Sequence, residues 1–249
     1  MKAMVLAAGL GTRLRPLTDD RPKALVEIEG RTLLEITLAR FRAFGVREVI
    51  VNVHHFADII VDYLAAKHNF GMRIEVSREN ELLDTGGGLK KAARFLLEDE
   101  RESQEPFLLH NVDVLSNIDF GRMVDFHKEH RALATLAVQE RQSSRYLLFD
   151  EHGQLCGRRL EREDRTELAR STEPLHALAF CGIHVISPLL LQMMTEEGVF
   201  SIIESYLRLA SQQEKLIAFC ADESYWRDLG TIEGLKQAGK DIQRGALAM

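Results

Sequence analysis

Cysteine is scarce: the 249 residues hold three, Cys156, Cys181 and Cys220, and no C-x-x-C spacing. That excludes a zinc ribbon and a disulfide framework; Cys181 and Cys220, set in apolar strand-like runs, read as buried packing residues. Long apolar runs are missing as well. No stretch approaches the ~18 residues of a membrane helix, and Met1-Lys-Ala-Met-Val-Leu-Ala-Ala8 is too short for the apolar region of a signal peptide. The chain is therefore expected to be cytoplasmic, with no membrane partner. Nor is there a basic excess: 32 Lys and Arg stand against 38 Asp and Glu, a net charge of −6. An acidic protein makes a poor general surface for nucleic acid, so none is expected as a partner and any phosphate site must be a local basic pocket. One Trp and four Tyr form no evident aromatic cluster. His54 and His55 are adjacent, not at the i,i+4 spacing that puts two metal ligands on one helix face. No Ser-His-Asp arrangement, internal repeat or linker-like stretch stands out, so a single domain over residues 1–249 is favoured.

What the chain does have is alternation. Ala3–Leu6 is a short buried run, Thr32–Phe44 carries a helical stripe at 33, 34, 38, 41 and 44, and Glu48–Val53 is rich in β-branched residues. Thr32, with Glu35 three on, reads as an N-cap and Gly45 as a C-cap. Residues 57–67 return to helix, 73–77 to strand, 88–98 to helix and 107–110 to strand. This β-α-β-α-β-α-β order implies an α/β fold with a mostly parallel sheet covered on both faces. Ligands in such sheets bind outside the carboxyl ends of strands, which places the chemistry on the loops after residues 6, 53, 77 and 110. Beyond 120 the pattern loosens. Helices are expected at 119–129, 188–195, 201–210 and from 232, and strands at 133–139, 178–186 and 216–220. Asp150-Glu-His-Gly153 is a hairpin turn between strand-like runs, while the dense charge of 158–173 reads as a solvated loop or a lid.

The informative stretch follows the first strand. Leu6-Ala-Ala-Gly-Leu-Gly-Thr-Arg-Leu-Arg-Pro16 and Pro22-Lys23 set two glycines, Gly9 and Gly11, before three fixed cations, Arg13, Arg15 and Lys23. Glycines let backbone N–H groups approach a ligand, and successive N–H groups make an anion-binding concavity. A dinucleotide fingerprint would need a third glycine where Leu14 stands, and Pro16 and Pro22 break the helix it requires. A P-loop would place Lys straight after the last glycine, but Thr12 and Arg13 follow Gly11. Elsewhere, Asp113 in His110-Asn-Val-Asp-Val114 and Asp228 in Trp226-Arg-Asp-Leu-Gly-Thr231 each read, alone, as turn aspartates. Facing a basic loop together, they would supply the one or two carboxylates with which Mg²⁺ is typically held beside substrate phosphates. Asp84-Thr-Gly-Gly-Gly88 reads as a helix-start loop, and His110 as a packed strand histidine.

The run Leu6–Thr18, with Pro22-Lys23 and Leu25, resembles the signature of the NDP-sugar pyrophosphorylases, nucleotidyltransferases that make nucleotide-sugars. The resemblance implies a GT-A/Rossmann-like three-layer sandwich, a nucleotide-binding half over about 1–120 and a sugar-binding half over about 121–249. It implies the reaction NTP + sugar 1-phosphate → NDP-sugar + pyrophosphate, with Mg²⁺ on Asp113 and Asp228. Arg13 and Lys23 would be catalytic. Leu6, Ala7, Ala8, Gly9, Gly11, Thr12 and Arg13 would bind the nucleotide's phosphates. Glu79, Thr85, Gly86, Gly87 and Asn111 would complete the nucleotide site, with Gly86 and Gly87 as a flat slot for the base and Glu79 accepting from its ring N–H. Gly182 would touch the sugar. Two departures from the family are visible. Val112 replaces a usual glycine and would restrict any close approach of the nucleotide sugar to the backbone there. The Glu-Lys-Pro sugar-phosphate contact of larger relatives is missing, and at the nearest segment, Leu160-Glu-Arg-Glu163, either Arg162 substitutes for the lysine or the contact is absent.

Length and the segments 84–88 and 180–183 look most like the small uridylyltransferases acting on N-acetylmuramate 1-phosphate. Mannose-1-phosphate guanylyltransferase and glucose-1-phosphate thymidylyltransferase are the near rivals. A phosphocholine cytidylyltransferase would need an aromatic cage, and a non-catalytic sensing subunit would be expected to have lost Arg13, Lys23 or an aspartate. An exposed apolar patch on 201–210 would signal a homodimer.

Overall fold

The computed structural model describes residues 1–98 and 105–247. In chain order the first half contains β1 (Lys2–Leu6), β2 (Glu27–Ile28), β3 (Arg31–Thr32), α1 (Leu33–Phe44), β4 (Glu48–Val53), α2 (Ala57–Ala66) and β5 (Arg73–Arg78). Then come α3 (Asp84–Leu96), β6 (Phe107–Asn111), β7 (Val114–Ser116) and α4 (Phe120–His130). The second half contains β8 (Ala134–Gln139), β9 (Arg145–Phe149), β10 (Leu155–Leu160), β11 (Arg165–Leu168) and β12 (His176–Ile186). It closes with α5 (Leu189–Met193), α6 (Ile202–Ser211), β13 (Leu216–Cys220), β14 (Trp226–Asp228) and α7 (Ile232–Gln243).

A ten-stranded sheet runs β11-β10-β9-β12-β6-β1-β4-β5, with β8 on β12 and β13 on β8. The β6-β1-β4-β5 block is parallel, as the alternating first half requires. From β12 onward the pairings turn antiparallel, apart from the parallel β8–β13 pair. Strand alternation divides the core. Ala3 and Val5 join α1, α2, α4 and α7 on one face, while Met4, Phe107 and Leu109 join α3, α5 and α6 on the other. The outcome is three layers, helix–sheet–helix.

Local signals hold at the ends. The Thr32 side chain accepts from Glu35 N, and Gly45 closes α1 at φ 100°, a left-handed conformation that glycine adopts without steric cost. Asp150-Glu-His-Gly153 does form the β9–β10 turn. Two expectations change. The charged stretch 158–173 contains the end of β10 and all of β11 rather than a solvated loop. Its order comes from cross-strand pairing, Arg158 facing Glu167 at 2.6 Å, which leaves no apolar period to read. And α3 begins at Asp84, so the three glycines form its first turn instead of preceding it. Helix α6 buries Ile202, Tyr206 and Leu209, and none of its residues is among the exposed large hydrophobics, so the patch that would signal a dimer there is not found.

Candidate active site

The carboxyl edge of β1 opens into the glycine loop. Ala7 and Ala8 are buried there, and Ala7 N donates to the Asn52 side chain at the end of β4 (2.7 Å). Gly11 sits at φ +67°, and a Cβ on it would lie 3.0 Å from Thr18 Cγ2 and 3.1 Å from Lys23 Cβ. Only glycine suits this position. Thr18 Oγ1 donates to Gly11 O (2.9 Å), folding the segment back so that Lys23 Nζ lies beneath Gly9. Arg13, on the single helical turn Thr12–Leu14, stays largely exposed.

Asp113 and Asp228 stand 115 positions apart in sequence, and an antiparallel ribbon closes that gap. β14 pairs with β7 so that Asp228 faces Val114, and Leu229 N donates to Asp113 O (2.7 Å). Gly230 marks where the groups meet. A Cβ there would lie 2.6 Å from Arg13 Nη2, 2.8 Å from Asp228 Oδ1 and 3.0 Å from Asp113 Oδ2. Any side chain at 230 would displace them. Lys23 Nζ binds Asp113 at 2.8 Å, both side chains about 15% exposed, whereas Arg13 reaches Asp228 at 3.7 Å in the open. Two cations and two carboxylates from four separate segments thus share one edge of the sheet.

Residues 2–155 match the nucleotidyl transferase family. The chain is 34% identical over 92% of its length to an N-acetylmuramate alpha-1-phosphate uridylyltransferase of Caulobacter vibrioides, of which it spans 91%. This chain belongs to the nucleotidyl transferase family. It is also 29% identical to a mannose-1-phosphate guanyltransferase of Yarrowia lipolytica, but spans only 61% of that protein. Among solved structures, HddC from Yersinia pseudotuberculosis complexed with GMP-PN superposes over 97% of this chain and 99% of that one, with a TM-score of 0.75 at 21% identity. A UDP-glucose pyrophosphorylase complexed with UDP-glucose gives 0.77 at 18% identity over 98% of each chain. At such identities these two structures establish the shared fold.

In this nucleotidyltransferase two chambers open along the edge. The first, about 420 Å³, is lined by Leu6, Ala8, Gly9, Lys23, Asn111 and Asp113, with Asn52, Leu82, Asp84, Thr85 and Val199. The second, about 490 Å³, shares Asp84, Thr85 and Asn111 with the first and extends beneath β9, β10 and β11. Arg145, Arg158 and Arg165 line it, residues that sequence reasoning left in a loop or passed over. Arg162, one of the two alternatives for the missing lysine contact, is exposed on the turn Glu161–Glu163 and does not line it. Arg158 and Arg165 both pair with Glu167, so their charge is partly offset, while Arg145 has no carboxylate partner among the described residues.

Three expected nucleotide contacts are placed differently. The space beside Gly86 is filled by the Phe200 ring, 2.3 Å from where a Cβ would stand, and that beside Gly87 by Gly198 O at 2.4 Å. These glycines admit the segment before α6 against α3, rather than forming an open slot. Thr85, next to them, lines both chambers, and its Oγ1 accepts from Ile202 N (3.0 Å). Glu79 is buried and lines neither chamber. Its Oε1 accepts from Asn52 Nδ2 (2.7 Å) and its Oε2 from Leu83 N (3.0 Å). Its two oxygens therefore tie the glycine loop, through Asn52, to the start of α3. Asn52 was missed by sequence reasoning; a polar residue inside a β-branched strand was the signal that could have found it.

Gly182, at φ +72° in the bulge of β12, is buried and lines neither chamber. A Cβ on it would lie 2.8 Å from Asn111 Nδ2, so it makes room for a side chain that does line both. Val112 donates its N–H to Leu6 O (3.1 Å) and buries its side chain in the core, so it does not narrow the edge as its departure from glycine suggested. His110 is a packed strand histidine, edge-on to Phe41 and Phe120 and pulled to about 3 first of all by burial.

Two carboxylates converging on one point are a hard-oxygen donor set suited to a divalent cation. Among the described residues no group of three or more His, Cys, Asp or Glu surrounds a common centre. The remaining ligands of any such ion would have to be water or substrate phosphate, which fits Mg²⁺ better than a metal caged by protein alone.

Proposed function

We propose that this chain transfers a nucleotidyl group from an NTP to a sugar 1-phosphate, releasing pyrophosphate and forming an NDP-sugar. The observation that carries this reading is the meeting of Arg13, Lys23, Asp113 and Asp228 around Gly230, beside the glycine loop. Arg13 and the backbone of Ala8–Thr12 hold the β- and γ-phosphates and the leaving pyrophosphate. Lys23 neutralises the α-phosphate as the acceptor's phosphate oxygen approaches in line. Asp113 and Asp228 would hold Mg²⁺, which supplies positive charge where two phosphate groups must meet. Positioning and charge neutralisation account for most of such catalysis, with no covalent enzyme intermediate required.

The Lys23–Asp113 pair gives the site a resting state. A largely desolvated carboxylate needs a partner, and Lys23 serves until the nucleotide brings its own charge. The first chamber accommodates the nucleotide and the second the acceptor, with Thr85 and Asn111 on their shared wall.

UTP and an N-acetylated, cell-wall-type sugar 1-phosphate are the best-fitting substrates. The match to the Caulobacter vibrioides uridylyltransferase extends over 91% of that protein, against 61% of the guanyltransferase. Both substrates are polyanions that do not cross membranes, which keeps the reaction in the cytoplasm. No helix among the described residues is long and apolar enough to span one. Pyrophosphate release should be measured with five nucleotides against a panel of sugar 1-phosphates, with and without Mg²⁺. UTP with an N-acetylated acceptor is expected to give the highest rate, and chelation to abolish it. Preference for GTP with mannose 1-phosphate, or dTTP with glucose 1-phosphate, would reassign the substrates. No release with any pair would refute catalysis.

A further inference from the structure

Among the residues lining the second chamber is a histidine the reaction above does not use. His184 in β12 is 1% exposed yet is among the residues that line the chamber, and its ring lies beside that of Phe180, with centroids 4.7 Å apart. Its Nδ1 lies 2.8 Å from Tyr206 Oη in α6. Tyr206 is fully buried, and its hydroxyl has no other partner among the described residues. A buried O–H must donate, so the tyrosine gives its hydrogen to Nδ1, and the imidazole proton is left on Nε2. Nε2 itself makes no hydrogen bond among the described residues. Burial, first of all, holds the ring's pKa down to about 3, so it stays neutral. Phe180 packs beside it, and Leu147 and Ile202 also line the chamber.

A fixed neutral donor next to an apolar wall suits one kind of substituent better than a hydroxyl or a second anion: an acylated amine, with a carbonyl to accept and a methyl to pack. We propose that His184 is a specificity-determining residue, donating from Nε2–H to the carbonyl oxygen of an acylamido group on the sugar 1-phosphate. The Phe180 ring, beside the imidazole, receives the acyl methyl. Tyr206 acts through His184 as a positioning residue that sets its tautomer. This rests on the second chamber holding the sugar acceptor.

The test compares N-acetylglucosamine 1-phosphate with glucose 1-phosphate as acceptors for wild type and for His184→Phe. Wild type is expected to favour the acylated acceptor by about tenfold or more in kcat/KM, the order of one well-placed hydrogen bond. In His184→Phe that ratio should fall to about two or less through loss on the acylated acceptor alone, with the NTP KM unchanged. Tyr206→Phe keeps the imidazole but frees its tautomer, and should lower the ratio partially, which keeps the test open if His184→Phe folds poorly. Independently, nitrogen-15 NMR of the unmodified protein should show a protonated Nε2 and an unprotonated Nδ1 at His184 from pH 6 to 9. A wild type with no acyl preference, equal losses on both acceptors, or a proton on Nδ1 would each overturn the proposal. Absence of turnover with every sugar 1-phosphate would instead refute the acceptor reading beneath it.

Discussion

The two halves of the sheet solve different problems. In the parallel half, β6-β1-β4-β5, the site is a property of the backbone: a loop after β1, a glycine held at positive φ and a lysine returned beneath it. Such a device grips a polyphosphate, whose charge is the same for every NTP. In the antiparallel half, the second chamber is walled by residues of β9, β10, β11, β12 and α6, positioned by cross-strand register. In the proposed reaction, that region would meet the substrate that varies. General chemistry is thus built on local sequence, and selectivity on pairings between distant segments.

The strongest way to break this contrast is at the ribbon joining the halves. Asp113→Asn or Lys23→Ala should cost ~10²-fold or more in turnover, comparable to losing one transition-state donor, with the fold retained by circular dichroism. A wild-type rate in purified Asp113→Asn would remove the carboxylate from the chemistry. Next, Glu79→Gln separates support from readout. An amide keeps an oxygen for one of the two donors and turns its NH2 on the other, so stability should fall by about 1–3 kcal/mol in urea melts while nucleotide preference is unchanged. A switch in preferred base would return Glu79 to the nucleotide. On the acceptor side, Arg165→Gln should raise the sugar-phosphate KM by roughly threefold to tenfold, as expected for a partly screened charge, and leave the NTP KM alone. A change in the NTP KM instead would merge the two chambers.

A separate effect is on stability against pH. His110 and His184 are lowered to about 3 and His127 to about 4, each chiefly by burial. The unfolded chain takes up protons near the ordinary value of 6.5 while the folded chain does not. Their contribution is complete above that value and is lost as pH falls toward the folded ones. The urea midpoint should therefore be lower at pH 5 than at pH 7.5, and a midpoint that rises on acidification would contradict the buried, neutral assignment.

Much of the parallel half was legible because its signals are short-range. Thr32 and Gly45 bound α1, β-branched residues mark β4, and the Leu6–Leu25 run carries both the loop and its cations. The Glu79 hydrogen bonds were not legible because a carboxylate's partners are invisible in sequence: Asn52, which donates to one oxygen, lies 27 residues away on β4. Gly86 and Gly87 misled for a related reason, since a glycine signals close approach without saying of what; here it is Phe200 and Gly198. The stretch 158–173 was opaque because its strands are bound by Arg158–Glu167 rather than by an apolar stripe. His184 could not be read at all, because its tautomer depends on Tyr206, a helix away.

The central claim is that Asp113 and Asp228 act as one unit across the ribbon, and a double-mutant cycle on kcat/KM for pyrophosphate release tests it most directly. With Asp113→Asn and Asp228→Asn each costing ~10²-fold or more, the double variant is expected to be no more than about threefold worse than the poorer single one, as for groups serving a common centre. Losses that multiply would mean two independent carboxylates and no shared site.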